Sequence, residues 1–144
     1  SRMPRRETPD RLRAVILAIW IVAFLVGTTS HVLDLAAGGL QTYAGFPTAL
    51  RLFWISLTVL DPVTVVLLAL RRRTGIALAL AVILIDIAVN WTVFLTIEGN
   101  PLYGVVNQTL FAVILISTAP KLWRWFTAAG PRRSRRRGHA PGPR

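Results

Sequence analysis

The sequence predicts an all-α, polytopic membrane protein: a left-handed four-transmembrane-helix bundle with both termini on the cytoplasmic side. Three observations predict it. Of the 144 residues, 53% are apolar, yet the formal net charge is +11. The mean hydropathy is nevertheless +0.54, so charged and apolar residues must be segregated along the chain. Arginine and lysine do gather in three blocks: Arg2 to Arg13, Arg71 to Arg73, and Lys121 onward. Long apolar runs separate the blocks, as expected where short cytoplasmic flanks collect basic residues and spans exclude them.

The first span is expected over residues 14–36. Ala14 to Leu33 carries no formally charged side chain apart from the titratable His31, and at ~1.5 Å per residue it covers about 30 Å, the thickness of a bilayer core. A basic leader with small residues at Ala36, Ala37 and Gly38 also imitates a cleavable signal peptide. The length of the apolar run favours an uncleaved span. A glycine-rich turn over residues 37–46 follows, and Pro47 suits the opening of a second helix over residues 48–70. Asp61 interrupts that run. The apolar pieces on either side are each too short to cross alone, so the interruption lies deep within one span. The third span is expected over residues 74–97, with Asp86 near its centre and Gly99, Asn100 and Pro101 as the turn that ends it. The fourth is expected over residues 103–120.

Residues 1–13 read as a basic cytoplasmic segment. Residues 127–144, rich in Arg, Gly and Pro, read as a disordered basic tail. Sixteen basic residues lie on the side of the two termini and the Arg71 to Arg73 loop, against Arg51 alone on the other, which places both termini inside. Trp123 and Trp125 at that end, and Tyr43 and Tyr103 at the other, stand where interfacial aromatic residues belong. The expected location is a cell membrane, multi-pass, in a bacterial inner membrane.

Polar side chains inside the spans carry the functional reading, because a charge at mid-bilayer costs about 2.5–3.5 kcal/mol on translocon scales. Asp61 and Asp86 fall at similar depth along their helices. Toward the outer side lie His31 and Asp34, Arg51, Asn90, Glu98, Asn107 and Gln108. In the second helix Arg51, Trp54, Thr58 and Asp61 recur at spacings of three and four, a single polar and aromatic stripe, and Asp86 with Asn90 forms its counterpart. In the fourth, Asn107, Phe111, Ile114 and Thr118 are expected roughly in line. The candidate ligand-binding set is therefore Asp61, Asp86, Asn90, Trp54, Thr58, His31, Asp34, Arg51, Trp91, Asn107 and Gln108, with Trp54 and Trp91 as walls.

Such a set suits a polar pocket, open to the outer side, for a small lipophilic or amphipathic molecule. The alternatives are that Asp61 and Asp86 bond to each other as glue between helices, that the carboxylates carry protons for a small transporter, or that the chain is an accessory subunit of a membrane complex. Enzymatic turnover has no specific support. No phosphate loop, paired-histidine spacing or Ser/His/Asp arrangement is present, and there is no cysteine, so no cofactor and no metal are expected. The expected partner is membrane lipid, with the basic tail meeting anionic headgroups rather than nucleic acid. A parallel homo-oligomer fits the fixed orientation, and an antiparallel one does not.

The run Phe53, Trp54, Ser56, Leu57, Leu60, Asp61, Pro62, the arginine loop and the Asp86 to Asn90 pair resemble uncharacterised bacterial four-helix membrane proteins. More distantly, the size, the cytoplasmic termini and the acidic residues of the first three spans resemble the EXPERA group, which includes sterol isomerases and sigma-2-type receptors. Over Val15 to Trp125 that resemblance implies an intramembrane pocket lined by Asp34, Asp61 and Asp86 for an amphipathic amine or sterol-like ligand. The chain departs from the isomerase pattern in having no glutamate within a span and a single membrane histidine, His31.

Overall fold

The computed structural model describes residues 10–41, 43–96 and 102–128. Among them the chain is helical with no strand: α1 (Asp10–Gly38), a short 3-10 turn (Gly39–Gln41), α2 (Thr48–Ala69), α3 (Arg73–Thr96) and α4 (Leu102–Ala128). All four long helices are apolar and long enough to cross a membrane. Consecutive helices pack side by side and α4 returns to α1, which closes a ring. The α2–α3 turn, the start of α1 and the end of α4 share one end of the bundle, here called the basic end.

Apolar side chains point outward as well as inward. Val26 is 64% exposed and Leu95 73%, and similar residues line the outside of every helix. In water such a surface would drive association. Facing hydrocarbon it carries no penalty, which is consistent with a membrane protein. The interior is built from Trp20, Leu57, Leu68, Ile76, Leu115 and Leu122, each almost completely buried. Trp20 on α1 donates its indole hydrogen to Thr118 Oγ1 on α4 at 3.0 Å, which ties the closing seam of the ring.

The α2–α3 connection is short because α2 ends in a Schellman motif. The amide of Arg72 bonds to the carbonyl of Leu67 and that of Arg71 to Leu68, both at 2.9 Å, while Arg71 adopts φ 53°, the left-handed position that ends many helices. The next helix then starts against the last. A Cβ built on Gly75 would lie 2.9 Å from the Leu67 carbonyl carbon, the Leu67 Cβ and the Leu68 nitrogen. Two of those neighbours are backbone and cannot swing aside. Gly75→Val is therefore expected to destabilise the bundle by about 1–3 kcal/mol, the range for overpacking a tight contact. An unchanged thermal midpoint in detergent would show that this close approach is not needed.

Helix α4 is longer than the sequence reading had it, running past Pro120 to Ala128. Its buried residues explain why. Val105, Ala112, Leu115, Ala119, Leu122 and Phe126 are all buried, and with Gln108 they recur at alternating spacings of three and four, a continuous inward seam. Proline deprives one carbonyl of its helical donor, but Leu122 and Phe126 continue the packed face beyond it. The inward stripe is accordingly not Asn107, Phe111, Ile114 and Thr118 as expected. Asn107 is exposed and Ile114 is 44% exposed, because a helix turns by roughly 100° per residue and their neighbours Gln108 and Leu115 take the inward places. Asp10 to Arg13, expected in the flank, open α1. Glu98, the side chain of Tyr103 and most of the basic tail lie outside the described residues.

Candidate functional site

Beyond the middle of the bundle, away from the basic end, the interior turns polar. Asp61, Thr64, Asp86 and Asn90 are the buried polar residues among those described. Thr64 is accounted for by its own helix, donating to the Leu60 carbonyl at 2.8 Å. The other three belong to two groups of different character.

The first group is a closed triangle between α3 and α4. Asn90 and Asp86 lie one helical turn apart on one face, and Asn90 Nδ2 donates to Asp86 Oδ1 at 3.1 Å. The same nitrogen donates to Gln108 Oε1 at 2.6 Å, and Gln108 Nε2 donates to Asp86 Oδ2 at 3.1 Å. Each oxygen of Asp86 thus accepts one hydrogen bond. Both donors are amides, so the triangle closes a polar joint between two helices.

The second group lies between α1 and α2 and is not closed. Asp61 is 5% exposed, yet none of the described residues donates a hydrogen bond to it. Its ion-pair neighbour among the described residues is His31, with Nε2 3.9 Å from Oδ2, too far for a hydrogen bond. Gly27 on α1 admits the carboxylate: a Cβ there would lie 2.9 Å from Asp61 Oδ2. Beside it His31 Nδ1 and Thr58 Oγ1 are buried without any hydrogen-bond partner. Thr58 precedes Asp61 by three residues on the same face of α2. Pro62 has no amide hydrogen for the Thr58 carbonyl either, so this turn of α2 is short of partners twice over.

No hydrogen bond joins Asp61 to Asp86, although the two carboxylates are close enough to interact electrostatically. The direct acid–acid joint, one of the alternatives read from the sequence, is absent among the described residues.

Aromatic rings close the polar region at both levels. Away from the basic end, Trp54 is buried with Tyr43 at 5.1 Å and Phe46 at 4.8 Å between ring centroids. Burial pushes the Tyr43 phenol above its usual range, and its hydrogen-bonded neighbour Asp34 pushes the same way. Asp34 itself is exposed, so it serves the cap rather than the buried cluster. Toward the basic end, one turn below Gly27 and Gln108, Phe24 and Phe111 meet edge to face at 6.2 Å. Trp91, expected as a second wall, is half-buried and pinned to α4, where its indole donates to Thr109 Oγ1 at 2.9 Å. Arg51 is half-buried in the first turn of α2.

The structure therefore gathers His31, Thr58, Asp61, Asp86, Asn90, Gln108 and Trp54 in one region. It sets Asn107 outside and places Asp34 and Arg51 at the margin. Sequence reasoning missed Gly27, Tyr43 and Phe46 as neighbours of the site. The glycine was the one available signal, since small residues mark close helix approach. Among the described residues no three His, Asp or Glu side chains converge as metal ligands. The chain matches no family model, no curated protein and no solved structure.

Proposed function

We propose that this chain is a multi-pass protein of a bacterial inner membrane, with both termini cytoplasmic, that binds a small amphipathic molecule between α1 and α2 in the half of the bundle away from the basic end. The observation that carries the reading is the unpaired set at Asp61, Thr58 and His31. Buried polar atoms in natural proteins are nearly always paired, and in hydrocarbon an unpaired one costs several kcal/mol. Three side chains with unmet hydrogen-bonding capacity in one small region ask for an occupant.

The chemistry of the set describes that occupant. Asp61 offers acceptors, Thr58 offers a donor and an acceptor, and His31 offers one of each in its neutral form. A cationic amine or a hydroxyl group on an otherwise apolar body satisfies all three, while the Trp54 cluster and the Phe24–Phe111 pair receive the apolar part. The charge bias of sixteen to one supports the orientation. Asp86, already satisfied, serves as the fixed wall of the site.

Native mass spectrometry of the full chain, released from detergent, tests the proposal. A co-purifying small molecule is expected in the wild type. Thr58→Val keeps the shape but removes the hydroxyl, and is expected to weaken retention by about five- to tenfold, the worth of one neutral hydrogen bond. A wild-type protein that carries nothing, and that no added amphipathic amine or alcohol stabilises, would overturn the proposal.

A further inference from the structure

At the basic end, away from the polar site, a groove of about 550 Å³ runs along the outside of the bundle between α3 and α4. Ala77, Leu80 and Leu84 form one wall, and Ile116, Pro120 and Trp123 the other. It is lined almost entirely by hydrocarbon. Seven residues separate Ala77 from Leu84, so the groove is about 11 Å long and points toward the middle of the bundle.

Its mouth is cationic. Arg73, the first residue of α3, lays its guanidinium over the Trp123 ring at 4.6 Å. Arg71 does the same over Trp125 at 4.3 Å. These stacks hold the arginines against the helix ends rather than letting them wander in water. The Nε atom of Arg73 is buried and has no hydrogen-bond partner. Arg72, Lys121 and Arg124 are exposed nearby, and no acidic side chain occurs in the α2–α3 turn or in the described part of α4. The start of α3 adds the partial positive charge of a helix N-terminus.

We infer that this groove is a binding site for an anionic phospholipid, with one acyl chain along the α3–α4 groove and the phosphate against Arg73. An apolar trough ending in a fixed, incompletely paired guanidinium matches the two parts of such a lipid, chain and charged head. A neutral detergent or an uncharged helix would leave the arginines at the mouth without a counter-charge. The assignment rests on the bundle crossing a membrane and is independent of the Asp61 site, which lies toward the other end.

The test uses the full chain in detergent, titrated with phosphatidylglycerol or phosphatidylcholine and read by native mass spectrometry for bound lipid. Phosphatidylglycerol is expected to be retained preferentially, and Arg73→Gln to weaken its retention by about fivefold, the contribution of one basic residue at a membrane surface. Arg135→Gln changes net charge equally but lies in the tail, and is expected to lower retention far less than Arg73→Gln does. Ala77→Leu fills the groove at an exposed position and is expected to lower retention without altering charge. Equal effects of Arg73→Gln and Arg135→Gln would reduce the site to diffuse attraction and overturn the inference. So would full retention in Ala77→Leu, equal retention of both lipids, or stabilisation by inorganic phosphate as strong as that by the lipid.

Discussion

Asp61→Asn is expected to strip the purified protein of the amphipathic molecule proposed for the α1–α2 site while leaving the fold nearly as stable as before. The two side chains are almost the same shape. No described residue donates a hydrogen bond to Asp61, so folding loses little, within about 1 kcal/mol, the range of a substitution that breaks no buried network. Binding loses much more. A hydrogen bond to a charged group contributes about 1.5–3 kcal/mol, so affinity for an amine or alcohol should fall by roughly ten- to a hundredfold. Gly27→Ala probes the same atom from the opposite helix: its methyl would stand 2.9 Å from Asp61 Oδ2, and the carboxylate must turn away. It too should weaken retention, though less. Titration with an amphipathic amine, followed by thermal shift, separates the outcomes. Unchanged affinity in Asp61→Asn would remove the carboxylate from the proposed site.

Asp86→Leu is expected to do the reverse, lowering stability by about 2–4 kcal/mol. The substitution takes away both acceptors of the triangle, and stranding a buried donor costs about 1–3 kcal/mol. Two donors are affected, but Asn90 and Gln108 still bond to each other, which moderates the sum. Asp86→Asn keeps one acceptor and should fall between. Unfolding in a graded detergent series, with α3–α4 separation as the readout, measures the effect. Wild-type stability in Asp86→Leu would mean that the triangle joins nothing that packing does not already hold.

These opposed expectations for two aspartates were not legible in the sequence. Both residues read as carboxylates at one depth, and nothing local marks one as satisfied and the other as unsatisfied. The difference arises from Gln108, which faces inward, and from Gly27, which passes over Asp61 with no side chain of its own. What could be read well was set by polarity against an apolar background. The four helices, the bounds of α2 and α3, and the shared face of Trp54, Thr58 and Asp61 all follow from length and spacing.

What could not be read follows from the same background. A helix that is apolar toward its neighbours and apolar toward its surroundings has no strong periodicity to orient it. Only polar residues then show which side faces in, and α4 offers Asn107 and Gln108 next to each other with no rule to choose. The packed seam of α4 chooses Gln108. That seam also carries the helix past Pro120, where a reading by residue preference stops.

The polar residues divide between the two halves of the ring, so each half can keep its own polar contacts if the seams between the halves loosen. His31 and Asp61 belong to the hairpin of α1 and α2, and Asp86, Asn90 and Gln108 to the hairpin of α3 and α4. The polar contacts of each pair are therefore made within that pair of helices. The α3–α4 pair holds a complete polar triangle, whereas the α1–α2 pair keeps an unfilled demand at Asp61 that no later part of the described chain meets.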